Sequence, residues 1–387
     1  MTSATLDNAL LEKTAPKTAA PSPAIVQVAK EFGVSPIKQL RQSLALRLGK
    51  NKLTAKDYYA YGLYDPKMSK AARDEYVGIT SNIALNARLS PRAAVPTAAF
   101  VGNKVLYTSL LRQLGIATTE TLAVASTHRH FGTLPALRDA DAIKSFLTDV
   151  ANYPIFGKPA HGSESVGSVL LTACDGTTLT LGNGKSVDLT AFCAEVTTKY
   201  AGGYLFQKAL IQHDTLANVT GKAIGCVRIV TAMDGAAPRP VYSVWKIPAH
   251  NAMSDNFWQD GSMLAHIDLE TGVVQTCRQG SGLDTAEIAE HPKSGAPVVG
   301  VQMPDWQAAI DLARDAHAIF PEFGVCGWDI AMTDEGPKIV ECNDNPSHSL
   351  YQLAARRGVL NSDFAPIWNA VSDRQQAKIA RMKKLAK

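Results

Sequence analysis

The sequence predicts an α+β protein built from more than one packed unit. Three observations carry this: helically spaced apolar residues from Ile25 to Ala94, a change to short strand-like runs bounded by glycine between Ala151 and Val187, and hairpins with turn residues in the last third. At 387 residues and 46% hydrophobic, the chain is longer than a single core usually serves. No apolar run reaches the roughly 18 residues of a membrane span. Lys+Arg 39 against Asp+Glu 35 leaves a net charge of +4, too small an excess for a dedicated nucleic-acid binder. The six cysteines (Cys174, Cys193, Cys226, Cys277, Cys326, Cys342) show no CxxC pair. They read as reduced core or strand residues, not as a zinc site or disulfide framework.

In order, residues 1–24 read as a flexible lead without the basic, apolar or arginine-rich pattern of a targeting segment, so the cytoplasm is the expected location. Residues 25–100 form a helical region, with apolar spacing through Val34–Leu48 and Thr54 as the N-cap of a following helix. Residues 101–203 form a first α+β unit. It contains a helix over Val105–Leu114, strands at Ile116–Val124, Tyr153–Lys158, Ser168–Thr172 and Thr177–Leu181, a small-residue loop at Ala160–Gly167 and a helix at Leu189–Tyr200. Residues 204–360 form a second unit: strands Tyr204–Leu210, Cys226–Ala232 and Val241–Ile247, a loop Ala249–Gly261, a hairpin around Thr271-Gly272, a helix Trp306–Ile319 and a final hairpin Val325–Met332/Lys338–Asn343. Residues 361–387 end in a basic helix whose cations (Lys378, Arg381, Lys383, Lys384, Lys387) suit a helix C-terminus in solvent.

The last hairpin concentrates chemistry. Glu341 and Asn343 are two apart and share a strand face, with Cys342 opposite. A turn centred on Glu335 places Asp329 across from Glu341. Two carboxylates and an amide oxygen on one patch repel unless a hard cation such as Mg²⁺ sits between them; the alternative is a hairpin with one solvated polar face. Upstream, Lys158 closes an apolar strand and runs into Pro159-Ala160-His161-Gly162-Ser163-Glu164-Ser165-Val166-Gly167-Ser168. Such a loop offers N–H groups and hydroxyls to polyphosphate, or simply connects two strands. Ser168 occupies the lysine position of a Walker A loop, so that motif is rejected. Lys208 leaves another apolar strand, either toward a phosphate or base edge or snorkelling to water. Lys104 opens a helix, where a cation is disfavoured without an anion nearby, or is one of the surface lysines common at such places.

Taken in order, Lys104, Lys158 with its loop, Lys208, then Asp329, Glu341 and Asn343, the chain resembles the ATP-grasp superfamily from Asn103 to Ala355. Within it the chain is most similar to the sugar-transfer-associated ATP-grasp proteins, through Val227-Arg228-Ile229-Val230-Thr231, Ser254-Asp255-Asn256, Ile267-Asp268-Leu269-Glu270-Thr271-Gly272, His291-Pro292, Met303-Pro304-Asp305-Trp306 and Gly327-Trp328-Asp329. The resemblance implies two α+β subdomains clamping ATP, 101–203 and 204–360, behind a helical N-terminal region. It assigns Lys104 and Lys158 to the phosphates, and Ser163, Ser165, Val166 and Gly167 to a loop closing over them. Gln207, Lys208, Ala209 and Leu210 would hold the adenine, Asp329, Glu341 and Asn343 two Mg²⁺ (a role Mn²⁺ can fill), and Arg228 and Lys246 the transferring group. The chain departs from the family pattern at Gln207, where glutamate is usual in the wider superfamily. It departs again at Gly225-Cys226 beside Arg228 and at Trp258-Gln259-Asp260-Gly261, both near the acceptor side.

The expected activity is a Mg-ATP-dependent ligase that converts a small-molecule carboxylate to an acyl phosphate for attack by an amine or similar nucleophile, in cell-surface polysaccharide or natural-product synthesis. The alternatives are a kinase on the same fold and a non-catalytic nucleotide-binding pathway partner. His161, His250 and His348 are expected in solvated or capping roles. Oligomeric state carries no sequence signal.

Overall fold

Backbone hydrogen bonding sorts the strands into two sheets in the computed structural model, which describes residues 5–6, 10, 24–162, 165–221, 223–249, 252–255, 260–280 and 282–385. Helices Ala24–Phe32, Pro36–Leu48, Ala55–Ala60, Lys70–Asp74 and Ile79–Leu89 come first. Ser35 caps the second, accepting from Lys38 N, with Pro36 in its first turn. Thr54 caps the third in a reciprocal capping box with Asp57. Val28, Val34, Leu46, Leu53, Tyr58 and Tyr76 close a small core beneath them.

The first sheet contains β1 (Thr5–Leu6), β2 (Thr121–Ala125), β3 (Ala136–Leu137), β4 (Ile155–Pro159), β5 (Val169–Cys174), β6 (Thr178–Leu181), β7 (Ser186–Asp188) and β8 (Tyr204–Lys208). Their order is β1-β7-β6-β5-β4-β8-β2-β3. Within the stretch expected as a flexible lead, Thr5–Leu6 therefore forms an edge strand parallel to β7, and Leu10 is buried in this sheet's core. Helices Ala140–Leu147 and Leu189–Lys199 supply Ile143, Leu147, Phe192 and Val196 to the same core.

The second sheet contains β9 (Val227–Ala232), β10 (Arg239–Ile247), β11 (Met263–Ile267), β12 (Val274–Gln279), β13 (Ala286–Ile288), β14 (Val325–Thr333) and β15 (Gly336–Asn343), in the order β13-β12-β11-β10-β9-β14-β15. All nine residues of β14 are buried. One of its faces, with Trp328 and Ile330, packs on helix Trp306–Ile319. Val325, on the other, joins Leu350, Trp368 and Val371 from helices Ser349–Ala355 and Ala365–Leu385. The C-terminal helix thus begins well before the basic stretch at Arg374, anchored by its apolar first half.

Helix Lys104–Gln113 lies between the sheets. Val105 packs on Val124, Ala160 and Leu205, while Tyr107 and Leu111 belong to the core under the second sheet. The strand expected from Ile116 begins only at Thr121. The reason is that Thr118 pairs in parallel with Ile339 of β15, its hydroxyl donating to the Ile339 carbonyl at 2.8 Å. These β-branched residues carry strand propensity, but their partner is the edge of the other sheet. The strand expected to open the second unit and run to Leu210 instead pairs between β4 and β2 in the first sheet and ends at Lys208, after which Gln212 bridges to Thr333 and His213 N donates to Met332 O.

Candidate functional site

The site grows from the β14–β15 hairpin. Its turn is the two residues Asp334-Glu335, with Thr333 paired to Gly336, whose φ of +94° favours glycine. This register runs to Ile330 opposite Ile339 and would bring Asp329 against Val340. A bulge intervenes, and Asp329 stands opposite Glu341. The pairing expected from the sequence therefore holds, through a shorter turn and an extra residue in place of a turn centred on Glu335.

Register continues across the sheet. Glu341, Asp329, Arg228 and Val244 are successive partners on β15, β14, β9 and β10. Lys246, two residues beyond Val244, shares that face. Arg228 grips Asp329 with both prongs, Nε to Oδ1 at 2.5 Å and Nη2 to Oδ2 at 2.9 Å. Lys246 Nζ lies 3.0 Å from the same Oδ2 and 2.9 Å from Asp255 Oδ2, which also accepts from Cys226 N. Burial alone would raise the Asp329 carboxyl, but Arg228 and then Lys246 hold it well below the usual carboxylate range. Burial likewise opposes the Lys246 ammonium, and Asp255 and Asp329 outweigh it, so the ammonium stays charged.

Two lysines reach the hairpin from outside the second sheet. Lys104 Nζ lies 2.9 Å from Glu341 Oε1 and donates to the Gly162 carbonyl at 2.8 Å. Glu341 is thus the anion that makes a lysine tolerable at this helix start, where Asn103 caps the Val105 and Leu106 amides. Lys158, buried at the end of β4, donates to the carbonyl of the bulged Val340 at 3.3 Å, and the Tyr107 hydroxyl donates to the same oxygen at 3.2 Å. Burial lowers the Lys158 ammonium to about 8, with Glu341 opposing the shift and Lys104 adding to it. Asn343 lies opposite Gly327, half-buried, two residues from Glu341 on the same face.

The remaining predicted residues divide. Ser165, at φ +55°, and Gly167, at φ +79°, belong to a turn at Ser165–Gly167 closed by Ser168 N on Ser165 O, with Val166 between them. Ser163 and His250 lie outside the described residues. Gln207 is buried in β8 with its amide donating to Thr119 and Thr121 hydroxyls, so its side chain is committed within the first sheet. Lys208 is exposed, and Ala209 and Leu210 follow the strand, half-buried. His161 is exposed. His348 is not solvated. It is fully buried between the Tyr242 hydroxyl at 2.7 Å and Asn86 Oδ1 at 3.0 Å, and burial, assisted by Arg228, lowers its imidazole to about 3.

Sequence reasoning assigned no role to Tyr107, Asp255, Asn82 or Asn86. Asn82 and Asn86, one turn apart on helix Ile79–Leu89, clamp the loop after Asn343. Asn86 Nδ2 donates to Asn345 Oδ1 at 2.6 Å and to Pro346 O at 3.0 Å, and Asn82 Oδ1 accepts from His348 N at 3.0 Å. The loop presses on the sheet at Gly327, where a Cβ would come within 2.9 Å of Pro346 and 3.1 Å of Arg228. Two asparagines at helical spacing inside an apolar helix were the available signal.

Among the described residues, no three His, Cys, Asp or Glu side chains gather as a metal site. The Asp329, Glu341 and Asn343 set instead offers two carboxylates and an amide oxygen, hard donors suited to a divalent cation such as Mg²⁺. Asp329 Oδ1 accepts one hydrogen bond where Oδ2 accepts two, and Glu341 is engaged through Oε1. Acceptor capacity therefore remains on both.

Among solved structures, the chain is similar to the D-alanine-D-alanine ligase from Coxiella burnetii, at 11% identity over 75% of this chain and 63% of that chain, with a TM-score of 0.41. It is also similar to ATP-grasp ligase PsnB complexed with precursor peptide PsnA2 and AMPPNP (14% identity, 74% and 61%, TM-score 0.37) and to N5-carboxyaminoimidazole synthase from Aspergillus clavatus (14%, 77% and 58%, TM-score 0.39). The chain spans about three fifths of the length of these proteins. No curated protein sequence matches it. The model of the family described as sugar-transfer associated ATP-grasp matches residues 80–365, well over half of the sequence and including every charged residue of the hairpin site. The chain belongs to the sugar-transfer associated ATP-grasp family.

Proposed function

We propose that the protein is a Mg-ATP-dependent ligase that activates a small-molecule carboxylate as an acyl phosphate for attack by an amine or a similar nucleophile. The observation that carries this reading is the convergence of Lys104 and Lys158 on the strand bearing Glu341, directly across from Asp329. Asp329, Glu341 and Asn343 would hold the divalent metal, which supplies charge neutralisation on the polyphosphate. Lys104 would exchange its Glu341 partner for a phosphate oxygen, and Lys158 its carbonyl partner, each becoming a fixed cation beside the transferring group. Arg228 and Lys246, held by Asp329 and Asp255, position positive charge where the carboxylate and the developing acyl phosphate would lie. In the reaction, a carboxylate oxygen bonds to the γ-phosphorus as ADP departs. The nucleophile then bonds to the acyl carbon as inorganic phosphate departs and its proton is lost. Burial of Lys158 and closure of the site keep water from the acyl phosphate.

The test is phosphate release screened against mixtures of carboxylates and amines, with Glu341→Gln as the control. Release that requires both partners and disappears in the variant supports the ligase. Transfer of phosphate to a single acceptor without release identifies a kinase. Mg-ATP binding that is absent, or identical in Glu341→Gln, removes the reading.

A further inference from the structure

Helix Pro36–Leu48 has a packed inner side and an apolar outer stripe that meets no other element among the described residues. Its inner side is held by Leu46, by Gln39, which donates to the Ile25 and Val34 carbonyls at 2.9 and 2.7 Å, and by Gln42, which accepts from the Tyr58 hydroxyl. On the opposite side Ile37, Leu40, Leu44 and Leu48 are 66%, 62%, 57% and 70% exposed. At about 100° per residue these four fall within roughly 80° of arc, one continuous stripe along the helix. Lys38 and Arg41 lie along one border and Arg47 along the other, all exposed. Among the described residues none of the three forms an ion pair. From Phe32 to Lys56 the sequence carries Lys38, Arg41, Arg47, Lys50, Lys52 and Lys56 and no acidic residue.

We propose that this helix is a docking face for an anionic lipid surface, lying in the membrane interface with its leucine stripe among the acyl chains. An apolar stripe bordered by lysine and arginine is the arrangement that enters a bilayer interface, since the aliphatic stems continue the apolar surface while the charges reach lipid phosphates. The charge selects among occupants. A second copy of this helix would bring its three cations, Lys38, Arg41 and Arg47, against the same three, with no carboxylate between Glu31 and Asp57 to pair them. No helix among the described residues is long and apolar enough to cross a membrane, so the contact is peripheral and reversible. It is independent of the nucleotide site.

The experiment is co-sedimentation of the full chain with vesicles of equal parts phosphatidylcholine and phosphatidylglycerol, and with vesicles of phosphatidylcholine alone, at low and high salt. The expected result is binding to the mixed vesicles, weakened by salt, and little binding to the neutral ones. The double variant Leu40→Glu/Leu44→Glu lowers partitioning at least about tenfold with unchanged helicity. Lys38→Gln/Arg41→Gln/Arg47→Gln lowers it severalfold, and decides the matter if the leucine variant misfolds. No binding to mixed vesicles at low salt overturns the proposal. So does equal binding by the folded variants, or a solution dimer that Leu44→Glu converts to monomer.

Discussion

The two acidic residues of the hairpin face each other across one register position and live in different electrostatic surroundings. Asp329 is buried, takes three hydrogen bonds from Arg228 and Lys246, and draws every partner from its own sheet. Glu341 is half-exposed and meets a single lysine from a helix wedged between the sheets. Such an interlobe pair can be exchanged for a ligand without dismantling either sheet, whereas the Asp329 cluster cannot lose a member without stranding a buried charge. One carboxylate is locked into its own sheet by three hydrogen bonds, and the other is held by a contact from outside it.

Asp329→Asn is the strongest way to break that contrast. It leaves Arg228 and Lys246 undercompensated in the interior and should cost about 3–5 kcal/mol in chemical denaturation; a loss within experimental error would mean Asp329 is no framework at all. Next comes the shell behind Arg228. Asn86→Ala removes the acceptor of His348 and the donor to Asn345 and Pro346, and should cost about 1–3 kcal/mol. The same variant should weaken acceptor binding more than nucleotide binding, measured by separate titrations, because the loop it releases lies over Arg228. Glu341→Gln should change stability by about 1 kcal/mol or less while reducing Mg-ATP affinity by at least about tenfold. Equal stability losses in Asp329→Asn and Glu341→Gln would erase the distinction drawn here.

The smallest effect is in pH. Burial lowers Lys158 to about 8, so in the free protein it is charged at neutral pH and loses its proton as pH rises through that value. Binding of a polyanion by the charged form must then take up a proton above pH 8, and Mg-ATP affinity should fall with rising pH. Lys158→Arg, which stays charged throughout, should flatten the profile. An unchanged slope in that variant would place the titration on another group.

The features with strong local patterns were legible in the sequence: the Thr54 cap, helix Trp306–Ile319 and the buried β14 with its partner. Lys158 stood out because a lysine ending an apolar strand calls for an anion; in the fold its ammonium meets a neutral oxygen, the Val340 carbonyl. What stayed hidden depends on contacts between distant residues. The Asn86 clamp joins positions 259 residues apart, and Thr118 pairs on the edge of the other sheet. Asp255 stood out as part of a motif, yet its role requires knowing that Lys246 turns toward both it and Asp329. Gln207 shows the converse. Its place on the strand was correctly read, but only the positions of Thr119 and Thr121 reveal that its amide is already spoken for.

The additional residue in β15 has a meaning that alignment alone does not supply. A hairpin lacking Val340 would pair Asp329 with Glu341 just as well, because the ladder from Thr333 and Gly336 would arrive there without interruption. What the insertion contributes is an oxygen. Left outside the ladder, the Val340 carbonyl receives Lys158 and Tyr107 at once, and so fixes a buried ammonium next to the residue that precedes Glu341.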